Sequence, residues 1–299
     1  MDTIERPHPG VVVMSGDTPV YQDLSQHHRG QDYRKGHVRQ MFAIHDPAAG
    51  ISYRASYSKT PAAPSSPRHR HNFEQIRFIV DGEWRFGKRR YGTGWLGFFP
   101  EAAFYGPQEN LIESRGFVIQ YPGPSGARFV SREEERRAQR EMTEEGIRFE
   151  SGLAHFQDGR RQDGSEALWE RVSGQRLKYP KPLFDDSVWM NTELFDWQPT
   201  DFEGVSIKRL AYFNRRGPAI ALLRIDPGHN LPAGTNGAMM MRFIYEGSAS
   251  YAGRQLPAVS SLYYPPEVAY EALSSESGAT LLSVELQLAG DQAPMPYRI

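Results

Sequence analysis

The stretch Pro67-Arg-His-Arg-His-Asn-Phe-Glu-Gln-Ile-Arg-Phe-Ile-Val-Asp-Gly82 decides how the rest of the chain is read. It opens with two histidines two residues apart, runs into an apolar segment and closes on Asp81-Gly82, a turn dipeptide. Side chains alternate across a strand. His69, His71, Phe73, Gln75, Arg77 and Ile79 therefore share one face, and Arg70, Asn72, Glu74, Ile76, Phe78 and Val80 the other. Two imidazoles and a carboxamide on one face can converge on a single metal ion.

The same pattern returns further along. Gln75-Ile-Arg-Phe-Ile-Val-Asp-Gly82 matches Met240-Met-Arg-Phe-Ile-Tyr-Glu-Gly247. Phe98-Phe-Pro-Glu-Ala-Ala-Phe-Tyr105 matches Tyr263-Tyr-Pro-Pro-Glu-Val-Ala-Tyr270. Both matches have one offset of 165 residues, Gly82 to Gly247 and Tyr105 to Tyr270, which marks a duplicated unit. Short alternating runs such as Val38–Ile44, Ile51–Ser58 and Gly116–Tyr121, punctuated by turn residues, make the expected class all-β.

The expected organisation follows from the repeat. An arm at 1–35 includes His8, His27 and His28, which read as surface groups, and Val11–Met14 as an edge strand. A first barrel covers 36–130, a connector 131–195, a second barrel 196–290 and a tail 291–299. Ser131 and Glu134 form a capping box that opens a helix over 131–145. At the 165-residue offset His69 becomes Gly234, His71 becomes Asn236 and Gln75 becomes Met240. One metal ion is therefore expected, in the first barrel. The second barrel, which keeps Arg242 opposite Arg77 and Tyr270 opposite Tyr105, is a structural partner or a second binding cavity.

The totals narrow the function class. The chain has 299 residues, with 39% hydrophobic and 24% charged side chains, a globular composition. A net charge of −1 supplies no field for nucleic acid or an anionic membrane, and neither is expected as a partner. The absence of cysteine removes disulfides, thiolate ligands and a cysteine nucleophile together. No run approaches the roughly 18 apolar residues of a membrane span. A soluble, cytoplasmic protein with a small-molecule substrate is expected, and open edge strands make a homodimer plausible.

His69-x-His71 with Gln75 placed before Gly82 resembles the first motif of the cupin superfamily. Gly94-Trp-Leu-Gly-Phe-Phe-Pro100, followed by Tyr105, resembles the second. The resemblance implies a bicupin over most of the chain: two tandem cupin barrels of the double-stranded β-helix, or jelly-roll, type, joined by the helical connector. It implies metal ligands at His69, His71 and Gln75, where Gln75 stands in place of the family's acidic ligand. Tyr105 stands in place of its last histidine. The His69-to-Gly82 stretch is also similar to gentisate-type ring-cleaving dioxygenases, bicupins with one Fe(II) in the N-terminal barrel that bind a hydroxylated aromatic acid and O₂. This implies one divalent ion, iron first, with manganese, nickel or zinc as alternatives.

Each candidate residue carries two readings. Tyr105 is a phenolate ligand, its pKa lowered by the cation, or a tyrosine hydrogen-bonded behind the ligands. Glu74 faces away from the histidines on strand phase, and a bulge would exchange it with Gln75 as the ligand. Arg77, buried, must be paired: with a substrate carboxylate, or in a structural ion pair. Phe73, Tyr53, Phe99 and Tyr121 are walls of a pocket or simply core. Three functions remain. One is a metal-dependent enzyme acting on a small oxygen-rich or aromatic molecule, an oxygenase with iron or a lyase or isomerase with zinc or nickel. Another is a small-molecule-binding barrel without catalysis. The last is a metal-independent isomerase or cyclase with Glu74, Tyr105 or His71 as acid and base.

Overall fold

Alternating apolar residues between turn glycines fold this chain into short antiparallel strands. The computed structural model describes residues 10–17, 21–23, 36–46, 51–127, 130–213 and 218–286. Those residues fall into two units, one within 21–40 and 52–190, the other within 1–20, 41–51 and 191–299. His8, His27, His28, most of the arm and the tail lie outside the described residues.

In the first unit Trp95–Phe99, Glu74–Asp81, Ser114–Tyr121 and Ile51–Thr60 lie side by side, all antiparallel. A smaller sheet runs Ala63–Ser66, Gln108–Asn110, Glu83–Phe86, Arg89–Gly92. Ile79 and Phe99 of the larger sheet share a core with Trp84, Phe86 and Tyr91 of the smaller one and with Tyr105. The two sheets thus enclose one interior, as a two-sheet barrel does. Glu74 through Ile79 are all buried, so this strand is covered on both faces.

The second unit repeats the ladder at the same offset. Ser260–Tyr264, Met239–Tyr251, Ala279–Leu286 and Ala219–Ile225 take the same order. Arg77 pairs with Gly97 and Val118, and Arg242 with Leu262 and Ser283. A register shift follows at Arg115/Gly116 in the first barrel and at Ile244/Glu246 in the second. The duplication therefore reaches the hydrogen-bond ladder, and the fold is all-β with two barrels in tandem. Val12–Met14 pairs antiparallel with Ser260–Tyr264 as an edge strand of the second unit.

The connector has a small core of its own. Ser131 caps the helix Arg132–Glu144: its hydroxyl accepts from Glu134 N, and the Glu134 carboxylate accepts from Ser131 N at 2.7 Å. A three-stranded sheet, Arg148–Glu150, Leu153–His155 and Arg161–Asp163, follows. A second helix, Gly164–Ser173, starts at Asp163 and ends on left-handed Gly174. It was not legible in the sequence, because it buries only Gly164, Ala167 and Leu168 and has a short apolar stripe. Ala138, Met142, Ile147, Ala154, Ala167 and Leu168 join into one cluster. Among the described residues no helix is long and apolar enough to cross a membrane.

Past this module the chain delivers Trp189 to the first barrel. Its ring stacks on Tyr91 at 4.1 Å and lies edge-on to Phe99 at 5.4 Å. It covers the backbone at Gly97, where a Cβ would come within 2.9 Å of the indole. The second barrel has Leu262 at the matching position. Gly97→Ala should therefore displace Trp189 and lower stability by roughly 1–3 kcal/mol, the usual range for overpacking. Chemical denaturation of the variant reads this directly, and an unchanged midpoint would count against the contact.

Candidate functional site

His69 enters the site through a single bridge to Tyr105. His69 N donates to the Tyr105 carbonyl at 3.1 Å, and Tyr105 N to the His69 carbonyl at 3.0 Å. Ala102 N donates to the His71 carbonyl at 2.9 Å. These bonds draw the segment after Pro100 alongside the His-x-His entrance. The His69 and His71 rings stand 5.0 Å apart between centres, nearly perpendicular. The Tyr105 ring lies 4.5 Å from His69 and 5.8 Å from His71, and His71 stacks on Phe73 at 4.5 Å. The His69 Nδ1 is 2.7 Å from the Pro67 carbonyl oxygen. A carbonyl only accepts, so in the neutral ring Nδ1 carries the proton and Nε2 presents its lone pair.

Behind the histidines Arg77 organises the interior. It is 9% exposed. Its Nε donates to Gln75 Oε1 at 2.8 Å, Nη1 to Gln108 Oε1 at 2.7 Å and Nη2 to the Tyr105 hydroxyl at 2.9 Å. The guanidinium also lies 4.3 Å from the centre of the Phe99 ring, a cation–π contact. Gln108 was missed in the sequence. It belongs to Gln108–Asn110, a strand of the smaller sheet, and only its pairing with Phe86 brings it to Arg77.

The structure brings His69, His71, Phe73, Gln75, Arg77, Phe99 and Tyr105 together, and leaves Glu74, Tyr53 and Tyr121 elsewhere. Glu74 pairs in register with Tyr121 on the opposite face of the strand. No bulge reverses the phase there, since the register shift lies at Arg115/Gly116. Tyr53 also falls on the Glu74 face: Ala55, two residues on, pairs with Ile119, which pairs with Ile76. A strand's own phase does not say which face of a neighbour it matches, so only the ladder shows that Tyr53, expected as a wall of the pocket, stands on the face away from Arg77.

Glu74 is 1% exposed. Burial pushes its carboxyl up to about 8; the Tyr121 hydroxyl opposes the shift, and the charge of Glu101 adds to it. Burial and the nearby Glu74 carboxylate also push the Tyr121 phenol well above its ordinary value. Glu101 is raised by burial in turn, with Ser125 holding it down through hydrogen bonds from its hydroxyl and its backbone N.

A metal ion can be tested against this geometry. Two imidazoles bound to one ion through bonds of about 2.1 Å place their ring centres roughly 4.6–5.3 Å apart at ordinary angles. The observed 5.0 Å fits, as does the lone pair on His69 Nε2. Gln75 and Tyr105, expected as ligands, instead have their oxygens engaged by Arg77. A guanidinium at both oxygens puts positive charge where a cation would need them. The donors that fit an ion are thus the imidazole pair, with further positions open to water or substrate. Among the described residues no group of three or more His, Cys, Asp or Glu side chains is placed to hold a metal.

Two tandem two-sheet barrels, the first entered through His-x-His, give this chain the bicupin fold. Solved structures share the fold. A protein of Nostoc punctiforme provisionally named a dioxygenase aligns with a TM-score of 0.59 at 14% identity, over 97% of this chain and 87% of its own. The oxalate decarboxylase of Lactobacillus farciminis, solved with formate, aligns with a TM-score of 0.55 at 12% identity, over 95% and 88%. A glyoxylate-induced protein, also provisionally named, from Pseudomonas aeruginosa aligns with a TM-score of 0.54 at 13% identity, over 100% and 94%. At such identities the likeness is one of fold. No family model and no curated protein matches the chain.

The raised carboxyl has a consequence for stability. The folded state holds the Glu74 proton up to about pH 8, while an unfolded carboxyl loses it near its ordinary value. The contribution of Glu74 to stability is thus greatest below that ordinary value and falls as pH rises towards 8, by on the order of 1 kcal/mol per pH unit. Denaturation curves at pH 5.5 and 8 should show the loss, and Glu74→Gln should flatten it. Parallel pH dependence in the two proteins would show that Glu74 is ionised in the fold.

Proposed function

We propose that this chain is a metal-dependent bicupin enzyme whose first barrel binds one divalent ion through His69 and His71 and acts on a small oxygen-rich or aromatic molecule. The supporting observation is the imidazole pair: ring centres 5.0 Å apart, with the His69 Nδ1 proton on the Pro67 carbonyl. A backbone carbonyl on the far nitrogen is how a ligating imidazole is commonly oriented. Iron is the first choice, by the resemblance to gentisate-type dioxygenases. Manganese follows, since the oxalate decarboxylase of Bacillus subtilis, a structural neighbour, is described with Mn(II) centres. Nickel and zinc are the remaining alternatives. Once bound, the ion supplies Lewis acidity toward substrate oxygens and, as iron, oxygenase chemistry; otherwise it serves a lyase or isomerase.

The chain's own residues define the rest of the task. The Tyr105 hydroxyl accepts from Arg77, so its own proton points away from the guanidinium. Beside the two imidazole rings it is the group placed to give a proton to a substrate oxygen. Arg77 holds Tyr105 and Gln75 in one geometry, and Phe73 and Phe99 offer apolar faces to a flat molecule. Glu74 faces the other side of the strand and takes no part.

A second reading has an observation of its own. Because Arg77 already engages Gln75 and Tyr105, the same interior suits a small molecule held without a metal. The barrel would then bind without catalysis, or work as an acid–base isomerase or cyclase through Tyr105 and His71. Elemental analysis separates the two. The metal reading expects near one iron, manganese, nickel or zinc per chain, lost in the His69→Ala/His71→Ala variant. A purified protein that carries none and takes up none of the four would overturn it, and the metal-free reading would stand.

A further inference from the structure

The second barrel keeps the buried guanidinium and loses what holds it. At the 165-residue offset Gln75 becomes Met240 and Gln108 becomes Leu273. The ladders confirm these equivalences: Gln75 pairs with Phe99 and Met240 with Tyr264, Gln108 with Phe86 and Leu273 with Tyr251. The two glutamines are the acceptors for Nε and Nη1 of Arg77. Arg242 is 2% exposed, and its Nε and Nη1 are the atoms that meet no hydrogen-bond partner.

Other changes add donors in the same interior. Tyr264 replaces Phe99 and Tyr251 replaces Phe86. The Tyr264 ring lies 5.1 Å and the Tyr270 ring 5.7 Å from the Arg242 guanidinium. Burial pushes the Tyr264 phenol up to about 12 with Arg242 opposing, so it keeps its proton. The guanidinium is near enough to act on that hydroxyl, yet no hydrogen bond of normal geometry satisfies it. The Nδ2 of Asn236, at the place of His71, is likewise buried without a partner. On the paired strand the carboxylate in phase, Glu285, stands opposite Met240, whereas Arg242 stands opposite Ser283. It satisfies neither Nε nor Nη1 of Arg242.

A buried cation with unpaired N–H groups beside a protonated phenol is complementary to an anion rich in acceptors. We propose that the second barrel is a binding site for a small carboxylate, held on Arg242 with the Tyr264 hydroxyl and the Asn236 amide as further donors. A monocarboxylate adds one negative charge to an interior that already holds Arg242 and, on the neighbouring strand, Glu285, and a dianion would bury a further charge. Met240, Leu262 and Leu273 line the same interior and suit a short alkyl body. Gly234 in place of His69 removes an imidazole from this end of the interior. The Tyr270 hydroxyl takes part of that space, 3.1 Å from where a Gly234 Cβ would stand, so the ligand is short.

Isothermal titration of the full chain with sodium acetate and sodium glycolate, against sodium chloride at matched ionic strength, tests the site. Saturable one-to-one binding of a carboxylate is expected. Arg242→Met should weaken it at least about tenfold and Tyr264→Phe by several-fold, as loss of a charged and of a neutral hydrogen-bonding group implies. The His69→Ala/His71→Ala variant and metal-depleted protein should bind within about twofold of wild type, because the site does not depend on the first barrel. Failure of that independence, with Arg242→Met unaffected, would assign the binding to the first barrel and overturn the proposal. So would the absence of saturable binding up to about 20 mM, beyond the millimolar range of weak ligands, or equal affinity for chloride. Should Arg242→Met fail to fold, Tyr264→Phe decides, and an unchanged affinity there overturns the proposal.

Discussion

A guanidinium in the middle of an apolar barrel is the constraint to which the first barrel's interior is fitted. An isolated charge moved from water to a medium of low dielectric constant costs several kcal/mol even after relaxation. It is tolerated only where oxygens and aromatic faces replace the lost water. Arg77 has these in Gln75, Gln108, Tyr105 and Phe99. Each comes from a different position on the ladder: its own strand, the smaller sheet, the loop after Pro100, and the neighbouring strand. Gly97, directly opposite Arg77, carries no side chain, and Trp189 lies over it. The pocket wall, the candidate acid and the connector's Trp189 are thereby tied to one charge.

The duplicated ladder separates fold from chemistry. Pairing, bulge and turn positions repeat at one offset through both barrels, because they depend on backbone hydrogen bonds and on the alternation of apolar residues. The interior side chains are free to change without disturbing that ladder. In the first barrel they are two imidazoles and a fully engaged arginine. In the second they are glycine, asparagine and an arginine stripped of its glutamines. Two barrels of one architecture thus present different chemistry, the first a pair of imidazoles at its entrance and the second a buried guanidinium with unpaired N–H groups in its interior.

The strand Glu74–Asp81 shows how one residue of phase divides two environments. Gln75 turns into the barrel and meets Arg77. Glu74 turns out, against Tyr121 and near Glu101, where burial keeps it protonated. A neutral carboxyl buried there contributes packing without a charge to neutralise. Had the phase been reversed, a carboxylate would face Arg77 and form an ion pair in place of the amide clamp, cancelling most of the positive charge behind the histidines.

The repeat, the all-β class, the His-x-His entrance, the phase that separates Gln75 from Glu74 and the loss of the imidazoles in the second copy were legible in the sequence. Each depends on local alternation or on a comparison of the chain with itself. The capped helix after Ser131 was legible for the same reason, since capping is a contact over three residues. The sequence by itself thus determined which residue types stand on which face of each strand. Only the tertiary structure decided which faces meet: that Tyr53 lies with Glu74, that Gln108 reaches Arg77, that Trp189 covers Gly97, and that Gln75 and Tyr105 are committed to a guanidinium. The physical reason is that alternation is a property of one strand. A buried charge is satisfied by groups from several, and the register that joins them appears only when the sheets close around it.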